Sequence, residues 1–208
     1  NSHKIVAYIC FKKTFYNAIV GQYFDQYFIN KYEFGITNDT ATVNTTDFDV
    51  EEFIEKTDEV NIYKNNKNYI VEPKNMDLET AIIFYPGGLV EYDSYLPLLQ
   101  EIASKGILCI MPKMHRNLAI YNINSADKII NDPKYDGIKK WYIGGHSLGG
   151  AMACVYANSN EEKIEGLILL ASYSTKNLKN SGLKVLSIYG SEDGVLKKDN
   201  YKKYIKNL

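Results

Sequence analysis

The sequence predicts an α/β fold, a mostly parallel sheet flanked by helices, and three observations carry that prediction. Short, continuously apolar runs recur from about residue 80 to residue 189, helical stretches separate them, and glycine-, proline- or asparagine-bearing turns punctuate the alternation. The 208 residues suit one domain plus an extension better than two full domains. The chain divides near residue 48, with residues 1–48 an N-terminal extension and residues 49–208 the core.

Residues 1–46 are rich in tyrosine, phenylalanine and asparagine and run into the polar stretch NDTATVNTTD. No chemical motif stands out there, and Asn44-Thr45-Thr46 is a glycosylation-type triplet of the sort that arises by chance. Asp49 to Lys56 reads as a short helix with acidic residues in its first turn. Val60–Tyr63 and Tyr69–Val71 flank KNNKN and predict an antiparallel hairpin. Ala81–Tyr85 (AIIFY) is apolar throughout, the sign of a strand covered on both faces, and similar runs follow at Ile107–Met111, Trp141–Ile143, Leu167–Leu170 and Val185–Tyr189. Ser94 to Ser104 carries Leu96, Leu99, Ile102 and Ala103 on one face and stops at Gly106. Ser125 to Asn131, Leu148 to Ala157 and the lysine-rich Asp199–Leu208 also read as helices. In such a sheet a site belongs at the carboxyl ends of the strands.

Composition narrows the function classes. Basic and acidic residues balance at 24 against 25, so no global field draws the chain to nucleic acid or an anionic membrane. Arg116 is the only arginine, which argues against bidentate guanidinium clamps for phosphate. No apolar stretch reaches the roughly 20 residues of a spanning helix, so no membrane span is expected, and no signal peptide is clear. Cys10, Cys109 and Cys154 lie far apart without metal-type spacing, and Cys109 and Cys154 read as small buried hydrophobes. The eighteen tyrosines read as composition bias rather than a carbohydrate-binding stripe.

Three motifs carry chemistry. Gly145-His146-Ser147-Leu148-Gly149 is G-x-S-x-G between an apolar strand and a helix, followed by Gly150. A sharp strand-to-helix turn exposes the serine hydroxyl, and glycines two residues on either side let the backbones pass. The helix beginning there aims unpaired N–H groups at the place where negative charge would form. Phe84-Tyr-Pro-Gly-Gly-Leu-Val90 follows the first buried strand. Two backbone donors are needed to hold an oxyanion: Leu148 N–H would be one, and Gly88 or Leu89 the other, between which the sequence does not choose. Finally Tyr189-Gly-Ser-Glu-Asp-Gly-Val195 puts an acid after the last strand, Asp193 first and Glu192 second, where a triad acid would orient a histidine.

These stretches give the chain a resemblance to the α/β-hydrolases, and within them to the small bacterial serine hydrolases with a PGG oxyanion loop. FYPGGLVEYDSY, GGHSLGGAMA and LKVLSIYGSEDGVL carry it, with Lys113–Ile130 similar too, from about residue 49 onward. The resemblance implies hydrolysis of a small-molecule, ester-like bond through an acyl-enzyme on Ser147, without metal or cofactor. In relatives the N-terminal region often carries a membrane anchor, and none is visible here; the location is open between the cytoplasm and, with an anchor removed, the cell envelope.

The departure from that pattern is the base. Relatives place a histidine downstream of the acid, yet none of the 15 residues after Asp193 is histidine, and a final strand and closing helix are also missing. Of the three histidines, His146 should point away from Ser147 into the fold, His3 is unplaced, and His115 lies beyond strand 107–111 on the catalytic edge, a possible substitute base. The expectation is a core truncated at the C-terminus, with the base on a longer protein. A non-catalytic binding protein using residues 1–48 for a partner is the alternative. The short connection between strands 107–111 and 141–143 leaves no room for a large cap. Oligomeric state is not written in the sequence.

Overall fold

The computed structural model describes residues 9–11, 32–37, 40–45, 54, 58–66, 68–190, 193 and 195–208. The expected helix at Asp49–Lys56, His3, Glu192 and Thr46 lie outside the described residues, apart from a helical Ile54.

Ten strands are described. They are β1 (Ile9–Phe11), β2 (Tyr32–Thr37), β3 (Thr40–Thr45), β4 (Val60–Asn65), β5 (Asn68–Pro73), β6 (Thr80–Tyr85), β7 (Leu108–Pro112), β8 (Lys140–His146), β9 (Gly166–Leu170) and β10 (Lys184–Gly190). The helices are α1 (Leu96–Ala103), α2 (Ser125–Ile130), α3 (Leu148–Ser159) and α4 (Lys198–Tyr204). Eight strands form one sheet in the order β1-β10-β9-β8-β6-β7-β5-β4, while β2 and β3 pair as a separate antiparallel hairpin. From β1 to β7 every pairing is parallel; β4 and β5 attach antiparallel at one edge.

The chain leaves β6 for β7 on one side and returns to β8 on the other. Two successive crossovers thus diverge between β6 and β8, and a crevice opens outside their carboxyl ends. That geometry follows from the sequence. Period-2 alternation sends Ile83 and Tyr85 of β6 to one face and Ile82 and Phe84 to the other, and both faces are covered. Ala153, Cys154, Tyr156 and Ala157 of α3 join Ala126 and Ile129 of α2 over the first face. Leu96, Leu99 and Ala103 of α1 cover the second at helical spacing.

Local differences from the expected elements have simple causes. The first turn of the helix expected at Ser94 is a 3₁₀ segment, Tyr92–Tyr95, and the α-helix proper begins at Leu96, with Pro97 in its first turn, where a missing N–H costs nothing. It ends at Ala103, and the chain turns away at Gly106 with φ +88°. Strand β8 runs on from the apolar WYI through Gly144 and Gly145 to His146, because pairing to β6 and β9 continues where hydrophobicity stops. The C-terminal helix closes in a 3₁₀ turn, Ile205–Asn207. Residues 9–11, for which the sequence suggests no element, pair parallel with β10. Among the described residues no helix is long and apolar enough to cross a membrane.

Candidate active site

Ser147 stands between β8 and α3 with φ 49° and ψ −120°, outside the allowed regions for a side-chain-bearing residue, and it is exposed. The turn is possible because its neighbours lack Cβ atoms. A Cβ on Gly149 would fall on the carbonyl oxygens of Tyr85 and Pro86, and one on Gly145 would lie 2.6 Å from Gly149 C and from Tyr85 O. The amino end of α3 is therefore seated directly on the backbone that leaves β6. Ser147 itself is tied down on both sides: its N–H donates to Leu170 O at 2.9 Å, and its carbonyl accepts from Ser172 Oγ at 2.8 Å and from Ala151 N at 3.1 Å.

The loop after β6 meets this turn. Gly88 packs against Leu148, whose Cδ2 would be 3.0 Å from a Cβ at position 88. The three successive N–H groups of the loop have different fates. Gly87 donates to the Tyr95 hydroxyl at 2.9 Å, and Leu89 donates to Asn117 O at 2.8 Å. Gly88 N–H has no hydrogen-bond acceptor among the described residues. Leu89 also takes φ +59° and exposes its side chain almost fully. Of the two residues the sequence left open, Leu89 has its N–H turned to Asn117, whereas Gly88 lies beside Leu148 at the start of α3. Unpaired amides at a helix start and in a neighbouring loop can together hold an oxygen that gains negative charge.

Asp193 is half-buried beyond β10. Its N–H donates to Gly190 O, and its Oδ1 accepts from Val195 N at 2.8 Å and Leu196 N at 2.9 Å, so the carboxylate shapes its own turn. Oδ2 takes no hydrogen bond among the described residues. His146 ends β8 and Asp193 follows the end of β10, and both strands run parallel to β9, so both residues lie at the carboxyl edge of the sheet. Burial is the main influence on the His146 ring and pushes its pKa down to about 4, while Asp193 pulls weakly the other way. His146 Nδ1 is 3.0 Å from the Tyr95 hydroxyl.

His115 is exposed and packs edge-on against Tyr121, ring centres 5.7 Å apart, while its N–H donates to Asn122 Oδ1. No hydrogen bond joins it to Ser147 or Asp193 among the described residues. The segment from β7 to β8 holds 3₁₀ turns and the short α2 and no cap. Two residues at this site escaped the sequence reading, Tyr95 and Asn117. Tyr95 offered one signal, an aromatic residue eight positions beyond the first glycine of the loop; Asn117 offered none, because its carbonyl arrives from another segment. A wide polar depression of about 680 Å³ beside Asn61, Glu72 and Lys74 lies at the amino end of β6, the opposite edge from Ser147.

Comparison with known proteins agrees with this architecture. The sequence model of the alpha/beta hydrolase family matches residues 81–208, well over half of the chain. No curated protein matches. Among solved structures, a protein of Klebsiella pneumoniae subsp. pneumoniae provisionally assigned as a dienelactone hydrolase is 18% identical, with a TM-score of 0.53 over 68% of this chain and 73% of its own. An esterase from Pyrobaculum calidifontis is 16% identical, with a TM-score of 0.46 over 65% of this chain and 56% of its own. Est1E from Butyrivibrio proteoclasticus, solved with ferulic acid bound, is 18% identical, with a TM-score of 0.45 over 56% of this chain and 51% of its own. This chain thus spans little more than half the length of two of these three structures.

Proposed function

Because the chain belongs to the alpha/beta hydrolase family, we propose that it is a serine hydrolase of esterase or lipase type, acting on a small-molecule, ester-like bond through an acyl-enzyme on Ser147. The observation that carries this reading is the backbone of Ser147: an exposed hydroxyl on a turn at φ 49°, at the start of α3 and against the Gly87–Gly88 loop. Strain of that kind, about 1–3 kcal/mol, persists where a function needs it. In the proposed reaction the Ser147 oxygen adds to the ester carbonyl, and Leu148 N–H and Gly88 N–H bind the resulting oxyanion. Gly88 is preferred to Leu89 because the Leu89 N–H already donates to Asn117 O. Collapse expels the alcohol, and water releases the acid.

Asp193 would orient the imidazole that takes the Ser147 proton and returns it to the leaving oxygen. With Oδ1 held by Val195 and Leu196, Oδ2 is the oxygen offered to it. No histidine follows Asp193 in these residues, so in this reading the base is either supplied from outside them or is His115, the substitute to be tested.

A fluorophosphonate probe should label the native gene product at Ser147, and Ser147→Ala should abolish both labelling and hydrolysis of p-nitrophenyl acetate; labelling that survives the substitution refutes the assignment. The 208 residues should turn over several powers of ten more slowly than a protein that supplies the base. Equal rates, lost in His115→Ala, would give the role to His115. A gene product with no Ser147-dependent turnover would instead be a binding protein on a hydrolase scaffold.

A further inference from the structure

Tyr95 closes the 3₁₀ segment Tyr92–Tyr95 and is fully buried. Its ring packs on Phe84 of β6, centres 5.1 Å apart, and stands 6.0 Å from the His146 ring. Its hydroxyl accepts the Gly87 N–H at 2.9 Å and lies 3.0 Å from His146 Nδ1. The hydroxyl oxygen has a second lone pair and a proton besides the site Gly87 fills, so it pairs with Nδ1 in either tautomer of the His146 ring. One hydroxyl thus touches both halves of the site: the loop through Gly87, and the serine turn through the residue before Ser147. On the other side of Gly88 the loop is held again, by Leu89 N–H on Asn117 O.

Building on the function proposed above, we infer that Tyr95 is a positioning residue, its hydroxyl tying the Gly87–Gly88 loop to the His146–Ser147 turn and so fixing where the Gly88 N–H points. Without that tie Gly87 loses the partner of its N–H, the loop keeps its tether at Leu89 but not the one before Gly88, and the second donor to the oxyanion loses its fixed direction. Preorganised donors owe their effect to that fixed direction, and misplacement of a group by about 1 Å costs on the order of a hundredfold in rate. The loss should fall on the step that develops charge and leave substrate binding alone.

The test is Tyr95→Phe in the native protein, because phenylalanine keeps the ring against Phe84 and removes only the oxygen. With p-nitrophenyl acetate, kcat should fall roughly 10- to 100-fold while KM stays within about threefold. Gly87→Ala provides a second route to the same defect, since its Cβ would lie 2.7 Å from His146 Nδ1 and 2.8 Å from the Tyr95 hydroxyl. Amide hydrogen exchange read by NMR in the Ser147→Ala background supplies a measure that needs no catalysis: Tyr95→Phe should speed exchange at Gly87 at least tenfold and leave the core of β6 unchanged. Faster exchange with an unchanged kcat would overturn the positioning role, and unchanged exchange would overturn the tie itself. Absence of Ser147-dependent turnover in the native protein would sink the functional reading and the catalytic role with it. That failure is distinguishable from loss of the tie, because the exchange experiment still reports on Gly87.

Discussion

Ser147 is the residue at which local preference and fold disagree most. Its φ of 49° with ψ −120° is open to glycine without penalty, but a residue with a Cβ holds it at about 1–3 kcal/mol. Ser147→Gly should therefore be more stable than Ser147→Ala by about 1 kcal/mol in urea unfolding, both being inactive; equal midpoints would mean the turn carries no strain. His146 makes a second prediction at this scale. Its folded pKa lies near 4, below the ordinary value of 6.5, so between those limits the unfolded chain binds more protons than the folded one. Stability should hold above pH 6.5 and fall as pH drops toward 4, and His146→Gln should flatten that slope in denaturation midpoints measured from pH 7 to 4. The spacing of glycines around Ser147 was readable in the chain because close backbone approach leaves a compositional trace. The proposed preference for Gly88 over Leu89 was not, since it turns on a carbonyl at residue 117 brought in by folding.

Elements here are joined by buried hydroxyls as much as by apolar contact. Tyr85 ends β6 fully buried, and its hydroxyl donates to Ile123 O at 2.6 Å and accepts from Ala126 N at 3.1 Å, locking the amino end of α2 to the central strand. Tyr85→Phe should cost about 1–3 kcal/mol, measured by urea denaturation, because it orphans a buried N–H and a carbonyl while leaving the ring in place. A loss below about 0.5 kcal/mol would show that neither group depends on the hydroxyl. Strands β6, β7, β9 and β10 were legible as continuous apolar runs, and the hairpin β4–β5 as two runs about a polar turn, with Asn66 at φ +49° where asparagine is tolerated. The far end of β8 was not legible, because its ladder continues through two glycines with no hydrophobic signal. The start of α1 was placed two residues early, because a 3₁₀ turn and an α-turn present the same apolar spacing over so short a stretch.

At the scale of the molecule, two apolar layers enclose one sheet. Cys109 is the second residue of β7, completely buried, and burial raises its thiol far above the ordinary range. Alkylation of Cys109 by iodoacetamide at pH 8, followed by peptide mass mapping, should proceed only as fast as the whole sheet unfolds, and should accelerate in parallel with loss of circular dichroism as urea is added. Rapid labelling of the folded protein would mean that the sheet opens locally. The alternation of strands and helices fixes this layered plan from sequence, whereas residues 1–48 carried no periodic signal, so the pairing of residues 9–11 with β10 could not be foreseen.

The side chains most exposed to water among the large apolar ones include Leu89, Ile120, Tyr121 and Val195, on the connections that follow β6, β7 and β10. Neither packed layer draws on them. Under the function proposed above, libraries randomised at these four positions should yield folded proteins at high frequency while altering which molecules are turned over, so the rim of this scaffold is a natural starting point for directed evolution.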